Sequence, residues 1–448
     1  MSDEGGRQRR WTLLALLALL AATWLTFQPL LGAGFVWDDR DNLLLNPHFR
    51  QLDFAALSWI FGEGGMRLGH FQPLTWLSYA LDHALWGLRP AGYHLTNLLL
   101  HLAVVLLLAR VLRRFVAIWR DKEPGALEPS DEWACVLAAA FYALHPLRVE
   151  NVAWLTERRD LLAALFYLLG ALLYLRAMRG GSRWRCMAGS WLAFLLSGLA
   201  KAWVLSLPLL LLLCDHWLGR LREPAERRRA LLEKLAFVPL AMAFGWLAHL
   251  AVNAAGAPAQ GHGVWPRMLQ ASYGLFYYPL KTLAPWGLSP LHLLRSADLH
   301  DLWHYAALAG ALALGGTLLV VARRRPGLFA AGWGYALFIA PVLGLAQVGQ
   351  QAVADRYAYL ATWPLWALLA VLLAAGLRRL SRAPMAGRVL AAVCALALLL
   401  GCALSSHRYT AAWLDEGSLW RHAVSQDPKN AVAWTNLADV QRIRGERA

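Results

Sequence analysis

An all-α, polytopic membrane protein is the fold class this sequence predicts, and three observations carry it. The 448 residues are 58% hydrophobic and only 16% charged, with 23 Trp and a mean hydropathy of +0.41. A soluble domain of this length cannot bury that much apolar surface. The apolar residues come in runs able to cross about 30 Å of hydrocarbon. Between the runs, Arg and Lys arrive in short bursts, the pattern of loops kept on the cytoplasmic side. Those bursts account for the net charge of +15. No stretch outside them sets a basic face with interleaved aromatics, so nucleic acid is not an expected partner.

Taken in order, the runs predict about eleven transmembrane helices, at 11–31, 93–112, 133–147, 160–177, 187–200, 203–218, 235–252, 303–322, 328–345, 358–377 and 389–405. The N-terminal "MSDEGGRQRR" resembles the start of a signal peptide. The run behind it is about 20 residues long and lacks a small-residue cleavage site, so it predicts a retained anchor. Residues 267–286, "RMLQASYGLFYYPLKTLAPW", carry Lys281, two prolines and many aromatics, and are expected to be interfacial or re-entrant. Cys135, Cys186, Cys214, Cys394 and Cys402 show no CxxC spacing and read as small apolar residues.

With the N-terminus in the cytoplasm, the six cytoplasmic segments hold 25 of the 43 Arg and Lys. The opposite loops are richer in Asp, Glu and His. That asymmetry places the first long loop, about 32–92, on the non-cytoplasmic face, and an odd span count brings the C-terminus there too. The chain therefore divides into a membrane domain, 1–405, and a tail, 406–448. In the tail, "WRHAV" and "DPKNAVAWTNLADV" have the spacing of one tetratricopeptide-like helical hairpin, with Ala431, Trp434, Leu437 and Ala438 as its small and apolar positions. One repeat cannot bury its own face, so it must pack on the membrane domain, extend into further repeats or dock a partner.

Four non-cytoplasmic segments bring ionisable groups to membrane level: "VWDDRDN", "HPLRVENVAWLTERRD", "LAKAW" around Lys201, and "QVGQQAVADRYAYL". Each alone has a plain structural reading: a solvated loop acid, a helix-capping charge cluster, a snorkelling lysine, a proline that ends a span. Together they are costly at that depth unless they line a polar cavity. Carboxylates with Arg and Lys at a lipid interface suit transfer from a phosphate-linked lipid. Cations hold the departing anion, and a carboxylate takes the proton of an acceptor hydroxyl.

The motifs "FVWDDRDNLLLNP", "FQPLTWLSYALDHALWGLRPAGYHLTNLLLHL", "AFYALHPLRVENVAWLTERRDLLAALFYLLGALLYL", "GLAKAWVLSLPLLLLLCDHW" and "QVGQQAVADRYAYLATW" resemble, in order, bacterial relatives of the transmembrane and tetratricopeptide repeat-containing (TMTC-like) protein O-mannosyltransferases. These are GT-C glycosyltransferases. The resemblance implies an inverting transfer of a sugar, mannose in the eukaryotic members, from a polyprenyl-phosphate lipid to a Ser or Thr hydroxyl. By similarity, Asp39 would be the general base and Asp38 would orient the acceptor or a metal. Arg158, Lys201, Arg356 and His145 would meet the donor phosphate and sugar, with Glu150, Asp160, Asp355 and Tyr357 in support. The family's Ser-Lys followed by Glu or Pro is Ala200-Lys201-Ala202 here, so a carboxylate partner is absent beside the lysine.

The rivals are a polyprenyl-lipid or glycan transporter and a non-catalytic membrane scaffold. A transporter predicts internal repeats and midplane breaks, and neither is evident in the sequence. A divalent cation at Asp38 and Asp39 stays open, because no His/Cys set specifies a metal. The sugar and the acceptor, protein or glycan, stay open too.

Overall fold

A computed structural model describes residues 2–178, 182–202, 204–254, 263–295, 301–345 and 349–445. Trp203 of "LAKAW" and residues 347–348 of "QVGQQAVADRYAYL" lie outside the described residues. Each of the eleven predicted runs is largely helical. Seven helical stretches are long and apolar enough to cross a membrane: Arg10–Gly32, Pro90–Trp119, Leu155–Met178, Pro224–Ala254, Leu302–Val321, Trp363–Leu380 and Met385–Trp413. Leu207–Trp217 and Pro326–Val342 are shorter apolar helices. The other two runs fall in Pro129–Leu144 and Arg183–Ala200. Residues 267–283 belong to one helix, Val264–Leu283, with Pro279 inside it, and 284–286 follow its end.

Pro129–Leu144 packs between Pro90–Trp119 and Trp363–Leu380. Its buried Ala134, Ala138, Ala139 and Ala143 let those backbones approach closely, the usual basis of helix association in lipid. Met385–Thr410 differs: Leu390, Val393, Leu396, Leu400 and Leu404 point outward, a surface that a bilayer would cover.

The first long loop is more ordered than irregular sequence suggests. It holds helices Phe54–Phe61 and Pro73–Trp86. The first is capped by Asp53, which accepts from the Ala56 amide at 2.8 Å. Trp76 and Tyr79 of the second pack against Leu43, Phe49 and Leu155. Thr75 Oγ1 donates to the Ala200 carbonyl at 3.1 Å, so the loop lies directly over the turn that carries Lys201. Among the described residues the one strand pairing is a short antiparallel ribbon, His292–Leu293 with Gln351–Val353.

Helices Glu416–Gln426 and Ala431–Arg444 pack together in the tail. Asn430 starts the second by accepting from the Ala433 amide at 3.1 Å, and this fixes its phase. Ala433, Leu437 and Val440 turn inward with Leu419, Trp420 and Ala423. Of the four positions expected in the seam, only Leu437 is there; Ala431, Trp434 and Ala438 face outward. The pair lies against the membrane domain: Asn430 Nδ2 donates to the Leu291 carbonyl at 3.0 Å, and Asp427 pairs with Arg295.

Candidate active site

The acidic loop is set by an unusual residue, Trp37, whose φ of 53° lies in the left-handed region that bulky side chains rarely occupy. Its ring holds it there. Trp37 stacks on Trp154 at 4.5 Å with the planes 2° apart, and Trp420 of the tail meets its edge at 5.2 Å. The Gly34 amide donates to the Leu414 carbonyl at 2.9 Å. The tail therefore braces the loop from behind.

The turn sends the two adjacent carboxylates in different directions. Asp39 is fully enclosed. Its Oδ1 accepts from the Thr156 amide (2.8 Å) and hydroxyl (2.7 Å), and its Oδ2 accepts from the Val36 amide at 3.2 Å. Burial pushes its pKa up to about 7 against these bonds. The Asp39 oxygens, expected to serve as the general base, are instead bonded across two loops, which does not offer them to an acceptor hydroxyl. Asp39→Asn replaces an acceptor by a donor and strands one of these amides, a loss of about 1–3 kcal/mol. A lower melting temperature is expected, with activity per folded molecule largely kept. Normal melting with abolished activity would return the base to Asp39.

Asp38 is half-buried and faces inward. Burial raises it to about 6, with Arg159 and Arg356 pulling down and Glu157 pushing up. Those neighbours belong to a continuous ionic cluster. Arg356 donates from its amide (2.9 Å) and guanidinium (2.7 Å) to Glu150 and lies 3.3 Å from Glu157. Glu157 also pairs with Arg159 at 2.5 Å and with Lys201 at 3.3 Å. Lys201 bonds Asp160 at 2.5 Å, and Asn151 bridges Asp160 (2.9 Å) to the Arg356 carbonyl (3.1 Å). Burial raises Glu150 despite its arginine. Glu157, Glu150 and Asp160 are 0%, 1% and 2% exposed, whereas Arg159, Lys201 and Arg356 are 6%, 8% and 8% exposed. The carboxylates are the more deeply buried and the three cations the slightly less buried members of the cluster, an arrangement that leaves the cations better placed to meet an anion. Trp154 and Tyr357 flank the Arg356 guanidinium at 5.3 and 5.0 Å.

The structure therefore brings Asp38, Glu150, Asp160, Lys201, Arg356 and Tyr357 together, and sets the other expected residues apart. Arg158 is wholly enclosed and bonds Asp82 (2.6 Å), Asn97 (2.7 Å) and the Tyr93 carbonyl (2.9 Å). It is not part of the ionic cluster. His145 accepts from the Leu147 amide at Nδ1 and donates from Nε2 to the Thr282 carbonyl at 2.9 Å, so both nitrogens serve the backbone. Asp355 accepts from Tyr277 at 2.6 Å and the Ser289 amide at 3.0 Å, anchoring the helix that carries Tyr277 to the ribbon. A cation shared by Asp38 and Asp39 does not fit, because Asp39 faces away into its amides. Among the described residues, no three His, Cys, Asp or Glu side chains gather to hold a metal.

Three residues were not nominated from sequence. Arg159 and Glu157 sit in a charged run readable as an exposed cap. His70, in the outer loop, is pushed well down by burial and by Arg159 and Lys201, which makes it a neutral imidazole beside the cations. Only its position in "GMRLGHFQPL" hinted at it.

Fold and site together define a multi-spanning helical membrane protein with a half-buried acid facing an ionic cluster under its first long loop. Comparison with known proteins gives the particular likeness. The chain is similar to protein O-mannosyl-transferases of the TMTC type: 37% identical over 157 residues to Drosophila melanogaster Tmtc2, covering 33% of this chain and 15% of that protein. It is 28% identical over 303 residues to D. melanogaster Tmtc1, covering 59% of this chain and 33% of that one. The matches thus span between 15% and 33% of these relatives' own length. A solved structure of ArnT from Cupriavidus metallidurans bound to undecaprenyl phosphate aligns with a TM-score of 0.43 at 14% identity, over 97% of this chain and 72% of that one. No family model matches the chain.

Proposed function

We propose that this chain is an inverting O-glycosyltransferase of the GT-C type. It would move a mannose-like sugar from a polyprenyl-phosphate lipid to a Ser or Thr hydroxyl of a protein, on the non-cytoplasmic face of a bacterial inner membrane. The observation that carries the reading is Asp38, an inward-facing carboxylate beside Arg159 and Arg356, with Lys201 joined to them through Glu157. The similarity to protein O-mannosyl-transferases supports it. As the acceptor oxygen bonds the anomeric carbon, Asp38 takes its proton. The bond from that carbon to the phosphate oxygen breaks with its electron pair on the phosphate. The three cations hold the new charge, and Glu157 keeps them in place.

The direct test is transfer of labelled mannose from a polyprenyl-phosphate donor to a Ser/Thr peptide by the purified protein; absence of any sugar transfer across donors and acceptors would sink the reading. The base must be ionised. With Asp38 near 6, the rate should climb through about pH 6 and level above it, standing about tenfold below the plateau at about pH 5. A flat profile across that range would exclude Asp38 as the base.

Orientation is tested separately. A reporter fused after Ala448 should be active only outside the cytoplasm, as the loop charges require. A cytoplasmic signal there would put the tail on the opposite side from the proposed chemistry.

A further inference from the structure

We propose that the junction between the tail and the membrane domain holds a second anion site, one that takes a phosphate group at the membrane surface. A cavity of about 470 Å³ lies there, apart from the ionic cluster, bounded by the end of Met385–Thr410, the turn after Val264–Leu283 and the first tail helix. Two guanidinium groups line it, Arg408 and Arg421, and no carboxylate does. Among the described residues neither arginine has an ion pair. Other charges of the tail are paired: Asp427 with Arg295, and Arg444 with Asp415 at 2.9 Å. Asp415 also accepts from Ser418 at 2.9 Å, so this acid on the rim is already committed.

The Tyr409 ring lines the cavity, while its hydroxyl is shielded from it and turned inward toward Trp413. His422 packs on the Tyr409 ring at 5.1 Å and donates to the Leu288 carbonyl at 3.0 Å. The walls thus present two cations and no carboxylate, the complement of a phosphate, which arginine grips in two-point fashion.

Position narrows the source. Arg408 sits in the last turn of a helix whose flanks carry outward leucines, so the cavity opens at the level of lipid headgroups. Pro285 and Leu288 give it an apolar wall suited to the first methylenes of an acyl chain. A phosphate bound there touches both the membrane domain and the tail and ties them together. This site is independent of the transfer chemistry.

Purified full-length protein in detergent is titrated with dihexanoylphosphatidylglycerol, following melting temperature. Saturable stabilisation is expected, with affinity at least about tenfold weaker in R408A/R421A. Both side chains are exposed, so the variant should melt normally without lipid; R421A alone is the milder check. Competition by inorganic phosphate would mark a site for the free anion, and its failure a site for lipid; either result upholds the proposal. A double variant that binds like wild type, or equal binding of neutral dihexanoylglycerol, overturns it.

Discussion

Asp38→Asn is expected to lower sugar transfer by about 10²–10⁴-fold, the usual worth of a positioned base, while leaving donor binding in place. Stability should be unchanged or higher. The carboxyl is raised in the folded protein to about 6, so its ionised form is less favoured folded than unfolded, and Asp38 works against folding at neutral pH. The amide removes that opposition. Loss of activity without loss of stability is the signature of a group kept for chemistry. Asp41→Asn, on the exposed side of the same turn, should do little. Near-normal transfer by Asp38→Asn would move the base elsewhere in the cluster, with Glu150 the next carboxylate to test. A melting temperature that fell with activity would make Asp38 structural.

Much of the fold was legible because hydropathy is a property of runs, and runs survive errors of a residue or two. The site depends on direction, which single residues set. Nothing in "VWDDRDN" tells which aspartate looks inward. That follows from the left-handed Trp37, which is held by Trp154 and by Trp420 far along the chain. The same holds at "LTERRDLL". A tight turn over Leu155–Glu157 precedes the helix Arg158–Met178 and resets its phase, so helical periodicity cannot be carried in from upstream. Glu157, readable as an exposed cap, is instead the anion around which Arg159, Lys201 and Arg356 gather. Trp434 misled in the tail for a related reason: an aromatic at helical spacing looks like core, and the Asn430 cap turns it outward.

Neighbouring arginines should give opposite phenotypes. Arg158 and Arg159 are adjacent at a helix start, and successive helical side chains point about 100° apart. Arg158 is sealed against Asp82 and Asn97 with its donors spent, whereas Arg159 reaches Glu157 beside Asp38. Breaking a buried ion pair by removing one partner costs about 3–5 kcal/mol, and lysine cannot reproduce the forked bonds to Asp82, Asn97 and Tyr93. Arg158→Lys is therefore expected to lower the melting temperature sharply, and Asp82→Asn to do the same, with donor affinity of the surviving folded fraction near normal. Arg159→Ala leaves Glu157 paired with Lys201 and Arg356, so folding should persist while donor affinity falls at least about tenfold. Melting curves with donor titrations on all three variants check the division. If Arg158→Lys melted like wild type and failed to bind donor, the phosphate would sit at Arg158 and the cluster around Glu157 would be structural.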